Sequence, residues 1–176
     1  ALPVHRVRVN QGGVEEIGVA ADDDHYSWTC RPASVPLQQA VAAHELPDDY
    51  ETEINLAAPA LVSSLAQHLQ RGVLLFFDYG FPAHEFFHAQ RNRGTLMCHY
   101  RHQSHDDPFL WPGLQDITAH VDFSAVARAG AELELLGRAV EYRYADDVGR
   151  QQVAGELDAL PGKAQYPGQR MGQRRL

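Results

Sequence analysis

Residues 84–88 read His-Glu-Phe-Phe-His, and of all positions in the chain these most directly invite a chemical reading. Two histidines one helical turn apart, with a glutamate beside the first, can hold zinc while the carboxylate activates water. His99, His102, His105 and His120 offer further imidazoles. The pattern fixes only three positions, however, and the chain has 10 histidines. Pro82 stands two residues before His84, so any helix carrying the pair is short. The competing expectation is that Phe86 and Phe87 pack, His84 and His88 face water, and no metal is held.

A second group of polar residues is spread more widely: Asp78-Tyr79, Arg91, Thr95, Arg101-His102, His105-Asp106-Asp107, and Asp116-Ile117-Thr118-Ala119-His120. A carboxylate at a strand end can serve as a general base or orient a cationic substrate. It can equally cap a helix or pair with an arginine such as Arg91. Taken together, these residues predict a concave polar patch.

The elements that must position them follow from periodicity. Val4, Arg6 and Arg8 alternate with His5, Val7 and Val9, and Val14 to Ala20 is a second short run beyond Gly12-Gly13, which predicts a hairpin. Tyr26 to Cys30 reads as a third strand, reached through the acidic turn Asp22-Asp23-Asp24. Leu37, Ala40, Val41 and Leu46 predict a helical turn or two between prolines. Leu61, Val62, Leu65 and Leu69 recur at helical spacing and predict a helix over 58–70, with Pro59 in its first turn and Gly72 at its end. Val73-Leu74-Leu75-Phe76-Phe77 is apolar at every position, the pattern of a central parallel strand covered on both faces. That strand would end at Asp78-Tyr79-Gly80, and functional side chains of open α/β sheets gather at such carboxyl edges.

Downstream, 82–92 reads as a short helical segment, Gly94 to Tyr100 as a strand or extended loop, and 103–115 as loop. Asp122 is expected to cap a short helix whose face is Phe123, Val126 and Ala127, with Gly130 closing it. Glu132 to Leu136 and Val140 to Tyr144 suggest a strand pair, Val148 to Leu160 a last helix, and the stretch from Pro161 a polar tail. The organisation expected is one α/β domain over 1–160, with 1–50 an insertion-like β/helical region, 51–160 the core part, and 161–176 the tail.

At 176 residues with 44% apolar content, the chain is long enough for one real core. Its net charge of −8 argues against a general nucleic-acid surface. Cys30 and Cys98 form no paired motif, which fits two free thiols in a reducing, cytoplasmic compartment. No apolar run reaches membrane-spanning length. The chain opens on Ala1-Leu2-Pro3-Val4-His5 with a strand pattern and no initiator methionine, so upstream sequence is expected.

An ordered set of motifs resembles one known family. Gly72 to Gly80 is similar to its glycine, apolar strand and Asp-Tyr-Gly. Glu85, Arg91, Gly94-Thr95-Leu96, His102, Asp106-Asp107-Pro108, Pro112-Gly113 and Asp116-Ile117-Thr118-Ala119-His120-Val121-Asp122-Phe123 follow at matching spacing. Glu53 and Asn55 resemble the opening of the preceding helix. Leu2-Pro3-Val4 resembles the end of an active-site stretch. On these residues the chain looks like the C-terminal portion of the bacterial MidA-like, S-adenosyl-L-methionine (SAM)-dependent methyltransferases, which include a mitochondrial arginine methyltransferase that assists respiratory complex I assembly. The resemblance fades after Gly137.

The resemblance implies a partial class I, Rossmann-like α/β sheet with an inserted β-hairpin and helical region. It implies SAM as the cofactor of the intact family and a protein substrate such as a respiratory-complex subunit. It makes Asp78, Asp116 and His120 the catalytic candidates. Glu53, Asn55, Tyr79, Arg91, Thr95, His102 and Thr118 are then the substrate-binding candidates, with Leu2 and Pro3 touching the cofactor. It also accounts for Glu85, but not for His84 and His88. The family's glycine-rich cofactor loop is not visible, since Gly12-Gly13 sits in a hairpin, so this chain alone is expected to bind SAM weakly or not at all. A partner is expected to complete it, either a missing N-terminal half or a second copy. Two alternatives stand beside this reading: a truncated, non-enzymatic homologue acting as a binding or assembly module, and a zinc hydrolase working through His84, Glu85 and His88.

Overall fold

The computed structural model describes residues 2–23, 25–69, 73–131, 143–145 and 151–153. Alternation in the first fifty residues folds as expected. β1 (His5–Asn10) pairs antiparallel with β2 (Gly13–Asp22), and β3 (His25–Pro32) pairs antiparallel with β2. Gly13 takes φ +122°, a left-handed value that suits glycine at the tight turn. The chain then runs through α1 (Val35–Ala42) into β4 (Tyr50–Ile54), which lies antiparallel along the other edge of β1. The sheet order is β3-β2-β1-β4. Its inner face and α1 close one core, built from Val7, Ala33, Leu37, Val41 and Ile54, with Leu46 and Phe87 packed against it.

Asn55 turns the chain into α2 (Ala57–His68), its Oδ1 accepting the Ala58 N–H at 2.8 Å. The buried face of α2 is Ala58, Val62 and Ala66, whereas Leu61 and Leu65 remain over a third exposed. The helix is therefore rotated from the leucine-centred face that its periodicity suggests. Its small residues admit α4 (Phe123–Ala131), which contributes Ala127 and Ala129. Asp122 caps α4 as expected, its Oδ1 accepting from Ser124 N and Ala125 N. Gly130 lies inside the helix rather than closing it.

The largest departure lies between these helices. Val73–Phe77 is not a strand: 73–79 carries no regular structure, and Val73, Leu75, Phe77 and Tyr79 are exposed. A strand apolar on both faces needs neighbours and cover on both sides. Among the described residues it finds only the far end of a partner, where β5 (Gly80–Phe81) pairs parallel with β9 (Val121–Asp122). For this run, parallel pairing among the described residues is thus one short contact, in which a methyl added at Gly80 would overlap the Val121 backbone.

Between β5 and β9 come α3 (Ala83–Phe86), a 3-10 turn at Ala89–Arg91, and a small antiparallel sheet. That sheet is ordered β7 (Gln103–His105), β6 (Met97–Tyr100), β8 (Asp116–Thr118). Residues 103–105, expected as loop, are therefore strand. Further on, β10 (Arg143–Ala145) pairs with β11 (Gln151–Val153), so the helix expected over 148–160 is replaced by strand at 151–153. The strand pair expected over 132–144 falls outside the described residues apart from 143–144, and the 161–176 tail falls wholly outside them.

Candidate functional site

The best-built polar group in the molecule is centred on the turn before β6. Gly94 stands at φ +79°, closed by its N–H to Arg91 O at 2.9 Å. This geometry delivers Thr95 against Glu53 of β4, which is only 2% exposed. Glu53 Oε2 accepts from Thr95 N at 2.7 Å and from Thr95 Oγ1 at 3.0 Å. The same hydroxyl oxygen accepts the His120 N–H at 3.0 Å. Glu53 Oε1 is buried without a hydrogen-bond partner and lies so close to Gly94 that an added Cβ would overlap it. One carboxylate oxygen is thus saturated and fixed, while the other keeps its accepting capacity in a dry setting, where an unmet acceptor is costly.

The group extends through rings. The His120 imidazole lies 4.9 Å from the Phe81 ring, and the Arg91 guanidinium stacks 3.8 Å over that same ring. Arg91 is oriented by Glu85, donating from Nε to its carbonyl at 3.0 Å and from Nη2 to its carboxylate at 3.5 Å. Tyr79 joins by backbone, its carbonyl accepting the Val121 N–H at 2.8 Å. Thr95 therefore links Glu53 to the His120 backbone, Arg91 and the His120 ring meet on Phe81, and Tyr79 runs alongside.

The remaining candidates are placed differently. Asp78 is exposed, and its Oδ1 accepts from Tyr79 N at 2.8 Å. Asp116 is exposed at the head of β8, opposite His99. Thr118 faces Met97 and donates to its carbonyl at 3.3 Å. His102 is exposed in a left-handed turn, φ +63°. Asn55 is occupied in capping α2. Leu2 and Pro3 are exposed. Among the described residues, no hydrogen bond or ion pair ties Asp78, Asp116 or His102 to Glu53, Thr95 or Arg91.

The histidine pair does not share a helix. α3 ends at Phe86, and His88 sits beyond it with extended backbone, its Nδ1 accepting from Gln90 N. Among the described residues no cluster of three metal-ligating side chains forms.

A cavity of about 220 Å³ opens behind Glu53, between α1, β4, α2 and α4. Two of its walls titrate. Burial holds His44 below the ordinary imidazole range, with its ring 3.8 Å from Phe87. Burial pushes the Asp122 carboxyl upward, opposed by the two capping N–H groups and by Arg128. Sequence reasoning did not single out His44, Asp122 as a cavity wall, or Phe81 as the ring between His120 and Arg91. Only the aromatic character of Phe81 was a signal for any of these.

A sulfonium nucleoside needs backbone amides from a glycine turn and a carboxylate for its ribose. Gly12 donates its amide to Asn10 Oδ1 in a hairpin, and Gly94 has committed its own to Arg91. Among the described residues, no helix long and apolar enough to cross a membrane occurs.

Comparison with known proteins converges. A family model described as "Putative S-adenosyl-L-methionine-dependent methyltransferase" matches residues 1–139. The mitochondrial protein arginine methyltransferase NDUFAF7 of Mus musculus is 28% identical over 172 residues, covering 94% of this chain and 36% of its own. Its Drosophila melanogaster homolog is 32% identical over 134 residues, covering 72% and 29%. A Burkholderia thailandensis crystal structure bound to S-adenosyl-homocysteine superimposes with TM-score 0.70 at 44% identity, covering 82% of this chain and 37% of that one. The chain thus spans about a third of the length of these relatives.

Proposed function

We propose, from the premise that this chain belongs to the S-adenosyl-L-methionine-dependent methyltransferase family, that it forms the substrate side of a protein arginine methyltransferase. The observation that carries the reading is the buried Glu53 carboxylate, with one oxygen held by Thr95 and the other without a hydrogen-bond partner. A guanidinium is planar and always charged, so its recognition calls for fixed carboxylate oxygens and aromatic faces. Glu53 supplies the first, and Arg91 on Phe81 is a guanidinium already held against a ring beside it. His120 is set by Thr95, and with Asp78 and Asp116 from neighbouring segments it would receive the proton that a guanidinium nitrogen must lose to become a nucleophile. Tyr79, Arg91, His102, Thr118 and Asn55 would line the approach. Leu2 and Pro3 would form the outer wall toward the cofactor, whose floor lies outside this chain.

The domain reading belongs to the same proposal. Residues 1–50 are the insertion that shapes the substrate side, and 51–160 carry part of the Rossmann-like sheet. The apolar run 73–77 is the surface on which the rest of that sheet is laid, which accounts for its exposure. A cytoplasmic enzyme suits the two free cysteines, of which Cys98 is buried and pushed up by burial. A respiratory-complex subunit is the substrate class that fits the relatives' mitochondrial setting.

The test is quantitative mass spectrometry of methylated arginine in the source cell, with the gene intact, deleted, or carrying Glu53→Gln. Deletion should erase a discrete set of methyl-arginine sites, and Glu53→Gln should lower the same sites at least tenfold. Unchanged methyl-arginine after deletion would overturn the reading. Loss of a protein assembly without loss of any methyl mark would favour the non-enzymatic module.

A further inference from the structure

β1 pairs with β2 only over Gly13 to Ile17, whereas β3 pairs with β2 all the way to Asp22. The hairpin from Gly18 to Thr29 therefore projects beyond the sheet, by roughly 17 Å at 3.3 Å per residue. Among the described residues β3 is the edge of the four-stranded sheet, so the outer margin of the arm is open. Isolated two-stranded ribbons are marginal in water, and this one is buttressed by Arg6, over Trp28, and by Phe109. Phe109, on the loop before β8, lies 4.8 Å from Trp28 and stacks on Tyr26 at 6.3 Å.

One face of the arm is apolar and accessible. Val19 and Trp28 are cross-strand partners, and Ala21 and Tyr26 are the next pair on the same face. Val19 is 54% exposed, Tyr26 49% and Trp28 40%. This aromatic shelf is bordered by acid: Asp22 and Asp23 at the arm's tip, Asp106 and Asp107 beside Phe109, all exposed. Among the described residues none of these four carboxylates enters an ion pair. Arg6 pairs with Glu51 and also lies 4.8 Å over the Trp28 ring, so that ring already holds one guanidinium and sets the pattern for a second, and Arg31 pairs with Glu16.

We infer that this arm is a docking surface for an extended, basic segment of the protein substrate, which adds as a strand to an open margin and lays its cations over Tyr26 and Trp28. Resting on the proposed protein substrate, the inference names the partner's chemistry. Strand addition supplies backbone hydrogen bonds whatever the sequence. Aromatic faces flanked by unmatched carboxylates select arginine or lysine side chains. The chain's net charge of −8 acts in the same direction at longer range.

The experiment is fluorescence anisotropy of a labelled twelve-residue arginine-glycine peptide titrated with the 176-residue chain at low salt. A control peptide carries citrulline at every arginine. Binding is expected to weaken about five- to tenfold in Trp28→Ala, by a similar factor in the double variant Asp22→Asn, Asp23→Asn, and to vanish for the citrulline peptide. Circular dichroism confirms that the exposed-site variants remain folded. Equal affinity across all variants overturns the inference. So does a concentration-dependent dimer by sedimentation velocity that Trp28→Ala abolishes, since the arm would then belong to a second copy. Methyl-arginine profiling separates this from the enzymatic reading. Marks lost on gene deletion but retained in Trp28→Ala sink the arm alone. Marks unaffected by deletion, alongside arm-dependent peptide binding, sink the methyltransferase reading alone.

Discussion

The sheet β3-β2-β1-β4 and the run from Val73 to Phe81 are both apolar stretches with strand-forming residues, yet only the first is completed by its own surroundings. Each strand of the first sheet finds its neighbour within a few tens of residues, through a tight turn or across α1, and α1 covers the inner face. The second run reaches one parallel partner, β9, some forty residues later, and meets it only at Gly80–Phe81. Antiparallel pairing is a local transaction, whereas parallel strands need long crossovers and neighbours distant in sequence. A region rich in local contacts can therefore fold as a unit even where a parallel sheet beside it stays open.

This contrast can be tested by perturbing each region in turn. Gly94→Val should have the largest effect, because it forces a β-branched residue to φ +79° and displaces the buried Glu53 carboxylate. The expected cost is more than about 3 kcal/mol, read from urea unfolding. A loss under about 1 kcal/mol would mean that the Glu53 turn is not held as described. Leu37→Ala should follow at about 3 kcal/mol, since the residue is 1% exposed at the centre of the closed core.

A smaller effect is expected at His44. Burial lowers its pKa in the folded state, so protonation favours the unfolded chain. Its penalty is absent above the ordinary imidazole pKa and grows as pH falls through and below it. Between pH 7.5 and pH 5.5, His44→Phe should lose less melting temperature than the parent, with the stack on Phe87 retained. Identical pH slopes would assign the acid sensitivity to other groups. The smallest effect belongs to Phe77→Ser. At 87% exposure this phenylalanine contributes little to the chain's own fold, and the change should stay within about 0.5 kcal/mol while raising solubility. A destabilisation matching that of Leu37→Ala would show that 73–77 is covered after all, and the contrast would fail.

The candidate site was legible in part for the same reason. Thr95, Arg91 and His120 were identifiable as polar residues grouped where a site could lie, and Glu53 only through the family resemblance. That Thr95 would bridge Glu53 to His120, or that Phe81 would lie between His120 and Arg91, depended on three segments meeting and on the left-handed turn at Gly94. The histidine pair illustrates the reverse. Its spacing satisfied a metal motif on an assumed helix, but Pro82 starts a helix that ends at Phe86, leaving His88 outside it.

Alternation, turn residues and caps by themselves determined the first hairpin, the third strand, the helix around Pro59 and the helix start at Asp122, while an ordered set of motifs carried the family resemblance. These are local quantities, set by side-chain period and by a few hydrogen bonds to nearby amides. Only the tertiary structure decided which face α2 buries, that 73–77 stands without a sheet, and that 151–153 is strand rather than helix. In each case the outcome depends on what lies across the contact, small residues of α4 or a strand far away in sequence. An apolar pattern states that a surface must be covered, and the neighbour that covers it is found only when the chain has folded.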